Sequence, residues 1–259
     1  MTDKPDIRQL RSAKKRRSAE TGHARPVIIA CDTSTTIGSV AIVEGGAVTA
    51  ETVVKSLNSH SLRILKDVEA LLGHRELTMN DVDAFATAAG PGSFTGVRIA
   101  MSTLKGLAWS LGKPLIPVGS LHALAWPLLG RGAPVLAAFD AKRSEVYGAL
   151  FGPDGKPLVE QAALAPNDLA LACLAAVEDG GPIICVGEGV LEYHDVFKAA
   201  LGDRLAMAGA WEAYVRASVI GIIGTAELAA GRICDVATVE PVYLRRSEAE
   251  INLSKTSIN

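Results

Sequence analysis

The chain has 259 residues, 49% of them apolar, and a formal net charge of −2, so it can bury a substantial core in one large domain or two small ones. No apolar run approaches the roughly 20 residues of a membrane span. The four cysteines, Cys31, Cys173, Cys185 and Cys234, have no CxxC or CxH spacing, which argues against a zinc site or a disulfide frame and fits reduced residues of a cytoplasmic protein.

Charge is unevenly spread. Residues 1–26 hold eight Lys or Arg against three acids, about +5, which leaves about −7 for the remainder. This stretch, with Lys14-Lys15-Arg16-Arg17 in a polar context, reads as a basic disordered extension able to make a weak electrostatic contact with RNA. Lacking an apolar h-region, it is not a secretory signal. Residues 27–31 are a short apolar strand ending in the polar turn Asp32-Thr33-Ser34-Thr35-Thr36. Strands at 37–43 and 47–54 flank the turn Glu44-Gly45-Gly46. A helix opened by Ser59 or Ser61 places Leu62, Leu65, Val68, Leu71 and Leu72 on one apolar face and stops at Gly73. A buried strand at 82–88 leads through a Gly-rich loop into a helix over 97–111, which Gly112 and Pro114 end before a strand at 115–118.

After a linking helix over 120–129 the pattern restarts. A strand at 134–139 closes on Asp140, strands follow at 145–151 and 157–162, then a helix over 167–177. A strand at 183–186, a turn Gly187-Glu188-Gly189 and a short helix over 192–201 complete the second round. Asp140 holds the place in this round that Asp32 holds in the first, an internal repeat of pattern. The pattern gives one lobe over 27–118 and another over 119–247. A last apolar helix over 217–230 is able to pack on either lobe, and 248–259 reads as a frayed tail.

The loop Gly90-Pro91-Gly92-Ser93-Phe94-Thr95-Gly96-Val97-Arg98 is the most specific feature. A Gly-rich strand-to-helix junction aims amides at whatever lies before it, which suits an anion, and Ser93 or Thr95 can cap the helix. It is not a P-loop, since Val97-Arg98 follows the last glycine, nor a dinucleotide fingerprint, since its spacing is G-x-G-x-x-x-G. It also fails the G-x-S-x-G nucleophile pattern, which leaves Ser93 as a cap. A tight turn with a capped helix is the plain alternative. Small and apolar residues nearly encircle the helix over 97–111, which implies burial on two sides, within its own domain or against another chain.

Together with Cys31-Asp32-Thr33-Ser34-Thr35, the run from Asp140 to Tyr147 and the Pro241-Val242-Tyr243-Leu244-Arg245-Arg246 ending, this loop closely resembles the TsaB (YeaZ) family over about residues 27–246. Lys142 stands where that family more often has Arg. The resemblance implies a two-lobed actin/Hsp70/sugar-kinase-like α/β fold of duplicated βββαβα units. It further implies a non-catalytic partner of TsaD in forming threonylcarbamoyladenosine at position 37 of tRNA, with TsaE and tRNA as further partners and a homodimer in isolation. ATP or ADP would sit at the interface with TsaD, with no tightly bound cofactor, metal or catalytic residue in this chain. Asp32, Thr33, Ser34, Gly92, Ser93, Arg98, Asp140, Lys142 and Arg143 would lie near nucleotide or tRNA. Leu62, Leu65, Val97, Ala100, Thr103, Leu104 and Leu107 would line the partner interface.

Two alternatives stay open. A self-sufficient actin-like ATPase or kinase needs glycine in the phosphate turns, but the turns after Asp32 and Asp140 have none, and Glu145 would repel a phosphate. A glycoprotease-like metallopeptidase needs paired histidines, but His23, His60, His74, His122 and His194 include no pair at i,i+3 or i,i+4.

Overall fold

The computed structural model describes residues 25–55 and 61–245. The basic extension up to residue 24, the tail from residue 246 and the Leu62 side chain lie outside the described residues.

Two five-stranded mixed sheets carry the fold. In the first, β1 (Val27–Asp32), β2 (Ile37–Glu44) and β3 (Ala47–Lys55) form an antiparallel meander, and β4 (Ala84–Ala88) and β5 (Leu115–Val118) extend it in parallel on the other side of β1. The second repeats this with β6 (Val135–Lys142), β7 (Glu145–Phe151), β8 (Pro157–Leu164), β9 (Ile183–Val186) and β10 (Leu205–Met207). The spatial orders β3-β2-β1-β4-β5 and β8-β7-β6-β9-β10 are the same path walked twice. This is the duplicated, two-lobed actin-like α/β architecture.

The period-2 alternation of strand side chains sorts β1 into two cores. Val27, Ile29 and Cys31 face α1 (Ser61–His74) and α2 (Phe94–Leu111). Ile28 and Ala30 face the opposite side, towards α7 (Ala217–Ala229) and α3 (Ser120–Ala125). Gly221 and Gly224 bring α7 close to the sheet: a Cβ at Gly221 would press on Val43 and Ala30, and one at Gly224 would stand 2.9 Å from Ala86. Residues from both sheets, such as Ala86, Ile116, Phe139 and Ala149, share this central core with Leu121 and Leu124 of α3. The outer face of the second sheet is covered by α4 (Pro166–Ala176), α5 (Glu188–Glu192) and α6 (His194–Leu201) through Leu169, Cys173, Val190 and Phe197.

Local differences from the sequence reading have local causes. Gly73 lies within α1, and the chain turns at Glu76 instead (φ 53°), where the Leu77 amide closes back on the Leu72 carbonyl. Gly187-Glu188-Gly189 opens α5 because Gly187, at φ 108°, tucks under the Ala138 carbonyl. The edge strand β10 has only three residues, too few to show alternation. Cys31, Cys173 and Cys185 are buried, but Cys234 is exposed.

Candidate functional site

The turn after β1 is sealed by the Gly-rich loop. Asp32, Thr33, Ser34 and Thr35 are all buried, Asp32 completely. Gly92 meets the turn directly: a Cβ there would lie 2.7 Å from the Ser34 carbonyl oxygen. The Ser93 amide donates to that same oxygen at 2.7 Å. Thr33 Oγ1 donates to the Gly96 carbonyl at 2.6 Å. Ser93 is the N-cap of α2, its hydroxyl accepting from the Gly96 amide at 3.2 Å. The Ser93 and Gly96 amides, which could have faced an anion, are thus engaged inside the chain.

Asp32 Oδ1 accepts from the Ser34 amide at 3.1 Å. Asp32 Oδ2 and the Ser34 hydroxyl are both buried without a hydrogen-bond partner. Burial lifts the Asp32 carboxyl from an ordinary 3.8 to about 7; the nearby Ser34 hydroxyl and amide pull it back part of the way, and Glu188 adds a small push upward. At about 7 the carboxyl is roughly half protonated at neutral pH, in a turn whose next two residues, Thr33 and Ser34, are closed over by Gly96 and Gly92.

Asp140 is the counterpart in the second lobe, with different surroundings. Its Oδ1 accepts from the Lys142 amide at 2.8 Å and lies 3.4 Å from the Tyr193 hydroxyl, and its Oδ2 pairs with Lys142 Nζ at 2.5 Å. Burial pushes this carboxyl up, but the bonds from Lys142 outweigh it and leave it below the ordinary carboxylate range. Burial raises Glu188, at the start of α5, which Lys142 lowers and Asp140 raises. Glu188 thus raises the Asp32 carboxyl and is itself raised by Asp140. Among the described residues no group of three or more His, Cys, Asp or Glu could hold a metal ion.

Lys142, Arg143 and Ser144 are exposed and all left-handed, at φ 61°, 57° and 60°. Each such non-glycine residue costs about 1–2 kcal/mol, so this tip is held by its contacts. Arg245 supplies two of them. Its guanidinium donates to the Ala141 carbonyl at 2.9 Å and pairs with Glu145. Glu145, expected from sequence to repel a phosphate, is thus partnered within the chain.

On the first lobe, Arg98 stacks over Phe94 with its guanidinium carbon 3.8 Å from the ring centroid, and its Nε donates to the Tyr243 hydroxyl at 2.6 Å. Phe94 and Tyr243 lie 4.9 Å apart between centroids. Sequence reasoning did not join Tyr243 and Arg245 to these sites. The signal available was the Pro241–Arg246 ending itself, which no periodicity connects to Phe94 or Glu145.

The expected partner-interface residues divide. Val97, Ala100 and Leu104 are buried in the first lobe's own core, because 97, 100, 104 and 108 share the inward stripe of α2. They are corrected to core positions. Thr103 and Leu107 are half-buried. Leu65, 49% exposed on α1, faces outward. The outward face of α2 presents Arg98, Ser102, Gly106 and Trp109, the last 68% exposed.

Residues 53–253 match the family described as "TsaD: tRNA N6-adenosine threonylcarbamoyltransferase". The chain is 31% identical over 224 residues to the tRNA threonylcarbamoyladenosine biosynthesis protein TsaB of Bacillus subtilis, covering 86% of this chain and 96% of that protein. Against TsaB of Escherichia coli it is 32% identical over 232 residues, covering 86% and 96%. The solved structure of YeaZ from Pseudomonas aeruginosa superposes with a TM-score of 0.69 at 28% identity, over 85% of this chain and all of that one. With the Gly-rich loop folded onto the Asp32 turn and the same architecture along nearly the whole length, the chain belongs to the TsaB (YeaZ) family.

Proposed function

We propose that this chain works in tRNA threonylcarbamoyladenosine biosynthesis as a non-catalytic partner subunit of TsaD, in the cytoplasm. The observation that carries the reading is the sealed Asp32 turn. A nucleotide-hydrolysing lobe of this architecture needs an open, glycine-rich turn there, whereas Asp32 is fully buried and the Thr33 and Ser34 that follow it are closed over by Gly96 and Gly92. The chain then acts by binding one TsaD conformation better than another, which shifts a population without contributing a reacting group. ATP or ADP is held at the boundary with TsaD rather than by this chain alone. TsaE and tRNA join the complex, and Arg98, Lys142 and Arg143 lie on the side that meets phosphate.

The docking face is the outer side of α1 and α2. Leu65 and Trp109 supply exposed apolar area. Ser102 and Gly106, one helical turn apart, let another helix approach closely. In isolation the same face pairs two copies of this chain. A Cβ at Gly106 meets nothing within 4 Å, so Gly106→Arg alters the face without disturbing the fold. Titration of the same organism's TsaD by calorimetry is expected to show a complex for wild type and at least 100-fold weaker binding for Gly106→Arg, with unchanged thermal melting. Equal binding by both would move the interface elsewhere. Absence of wild-type binding, or steady ATP turnover by the isolated chain, would overturn the scaffold reading.

A further inference from the structure

After α7 the chain follows the first lobe, then crosses to the second. Cys234 bridges to Leu115 at the sheet edge. Lys105 Nζ donates to the Ala237 and Val239 carbonyls at 3.1 and 3.0 Å. The Val242 amide donates to the Ala89 carbonyl at 2.7 Å, and the Val242 carbonyl lies where a Cβ on Gly90 would stand, 2.7 Å away. Tyr243 then packs on Phe94 and Arg98. Two residues later the Arg245 guanidinium reaches the hairpin tip of the second lobe, at the Ala141 carbonyl and the Glu145 carboxylate.

We propose that Arg245 is a releasable latch: the C-terminal segment is fixed to the first lobe and, through this one guanidinium, holds the left-handed tip Lys142-Arg143-Ser144 of the second. The two ends differ in chemistry. The first-lobe end is built from backbone bonds, an aromatic contact and a stacked cation, which salt leaves largely intact. The second-lobe end is one bond to the Ala141 carbonyl and an ion pair to Glu145 with side chains 27% and 35% exposed, the ion pair open to screening and to competition from an arriving anion. The bonds from Lys142 to Asp140 remain when Arg245 is released, so the three left-handed residues loosen at their Ala141 and Glu145 ends. Arg245 stands two residues from Tyr243, which contacts Arg98 on the outer side of α2. Latch release therefore couples that helix face to the geometry of Lys142 and Arg143 at the hairpin tip, two sites linked through one two-state element.

The test is hydrogen exchange of the full chain followed by mass spectrometry, comparing wild type with Arg245→Ala. Amides across 141–146 are expected to exchange at least tenfold faster in the variant, with those across 89–98 unchanged. Wild type in about 1 M salt, where screening acts within roughly 3 Å, is expected to move towards the variant, which itself should not respond. Glu145→Ala removes the acceptor from the other lobe and should reproduce the pattern if Arg245→Ala proves poorly folded. Unchanged exchange at the tip would overturn the latch. Equal acceleration in both regions would also overturn it, since that marks a general loss of stability. Neither outcome bears on TsaD binding.

Discussion

Asp32→Asn is expected to raise stability at neutral pH by about 4 kcal/mol, the linkage value of a carboxyl held at about 7 when folded and near its ordinary 3.8 when unfolded. At pH values below the unfolded value both states keep the proton and the group has no effect. Between that value and about 7 the unfolded chain releases its proton while the folded chain keeps it. Each pH unit in this window then removes about 1.4 kcal/mol of stability. Above about 7 both states are ionised and the loss is constant. The wild-type contribution is therefore present in acid and lost as pH rises. Asparagine carries no proton to lose. Its Oδ1 can keep the bond from the Ser34 amide, and its Nδ2 would occupy the place of the partnerless Oδ2, beside a Ser34 hydroxyl that also has no partner. Urea denaturation at a series of pH values checks this. The advantage of the variant should grow from near zero at pH 4 to its maximum above pH 7. An advantage independent of pH would show that Asp32 is not a protonated acid in the folded chain.

Gly96→Ala is expected to cost about 3 kcal/mol or more, in the range of severe overpacking. A methyl group at position 96 would overlap the Thr33 carbonyl oxygen. Neither side can yield by rotating a side chain, because both are backbone, and Thr33 Oγ1 is already bound to the Gly96 carbonyl. The start of α2 would have to lift away from the turn, breaking the Ser93–Ser34 bond as well. Gly106→Ala, on the same helix, is the control. With open space around its Cβ, it should stabilise by about 0.5–1 kcal/mol through helix propensity alone. If the two substitutions gave similar melting curves, the close approach at Gly96 would be wrong.

The two rounds of strands were legible because they alternate apolar runs with polar turns, and Asp32 and Asp140 mark equivalent points in each. The direction of individual residues on α2 was harder to read. Small residues such as Ala100 and Gly106 look alike in sequence, yet one is fully buried and the other exposed. The low contrast between the two sides of the helix hides which one meets the sheet. The family resemblance places Val97, Ala100 and Leu104 at the partner interface, but the 3.6-residue stripe they form with Ala108 turns them inward. The Gly-rich loop was legible as a helix start but not as a lid, since nothing local to Gly92 or Gly96 reveals that Thr33 and Ser34 lie across from them. The Tyr243 and Arg245 contacts span separations of 145 and 100 residues to Arg98 and Glu145, beyond the reach of any periodic signal.

The placement of α7 sets an order of events during synthesis. The inner face of the first sheet, including Ile28, Ala30 and Ala86, is covered by a helix that begins at Ala217. The strands of that sheet are finished at Val118, about 110 residues before α7 ends. At translation rates of about 5–20 residues per second, that face waits roughly 5–20 s for its cover. Throughout this interval a nascent first lobe carries an apolar sheet face that α3 and the second sheet cover only in part and that α7 has yet to complete.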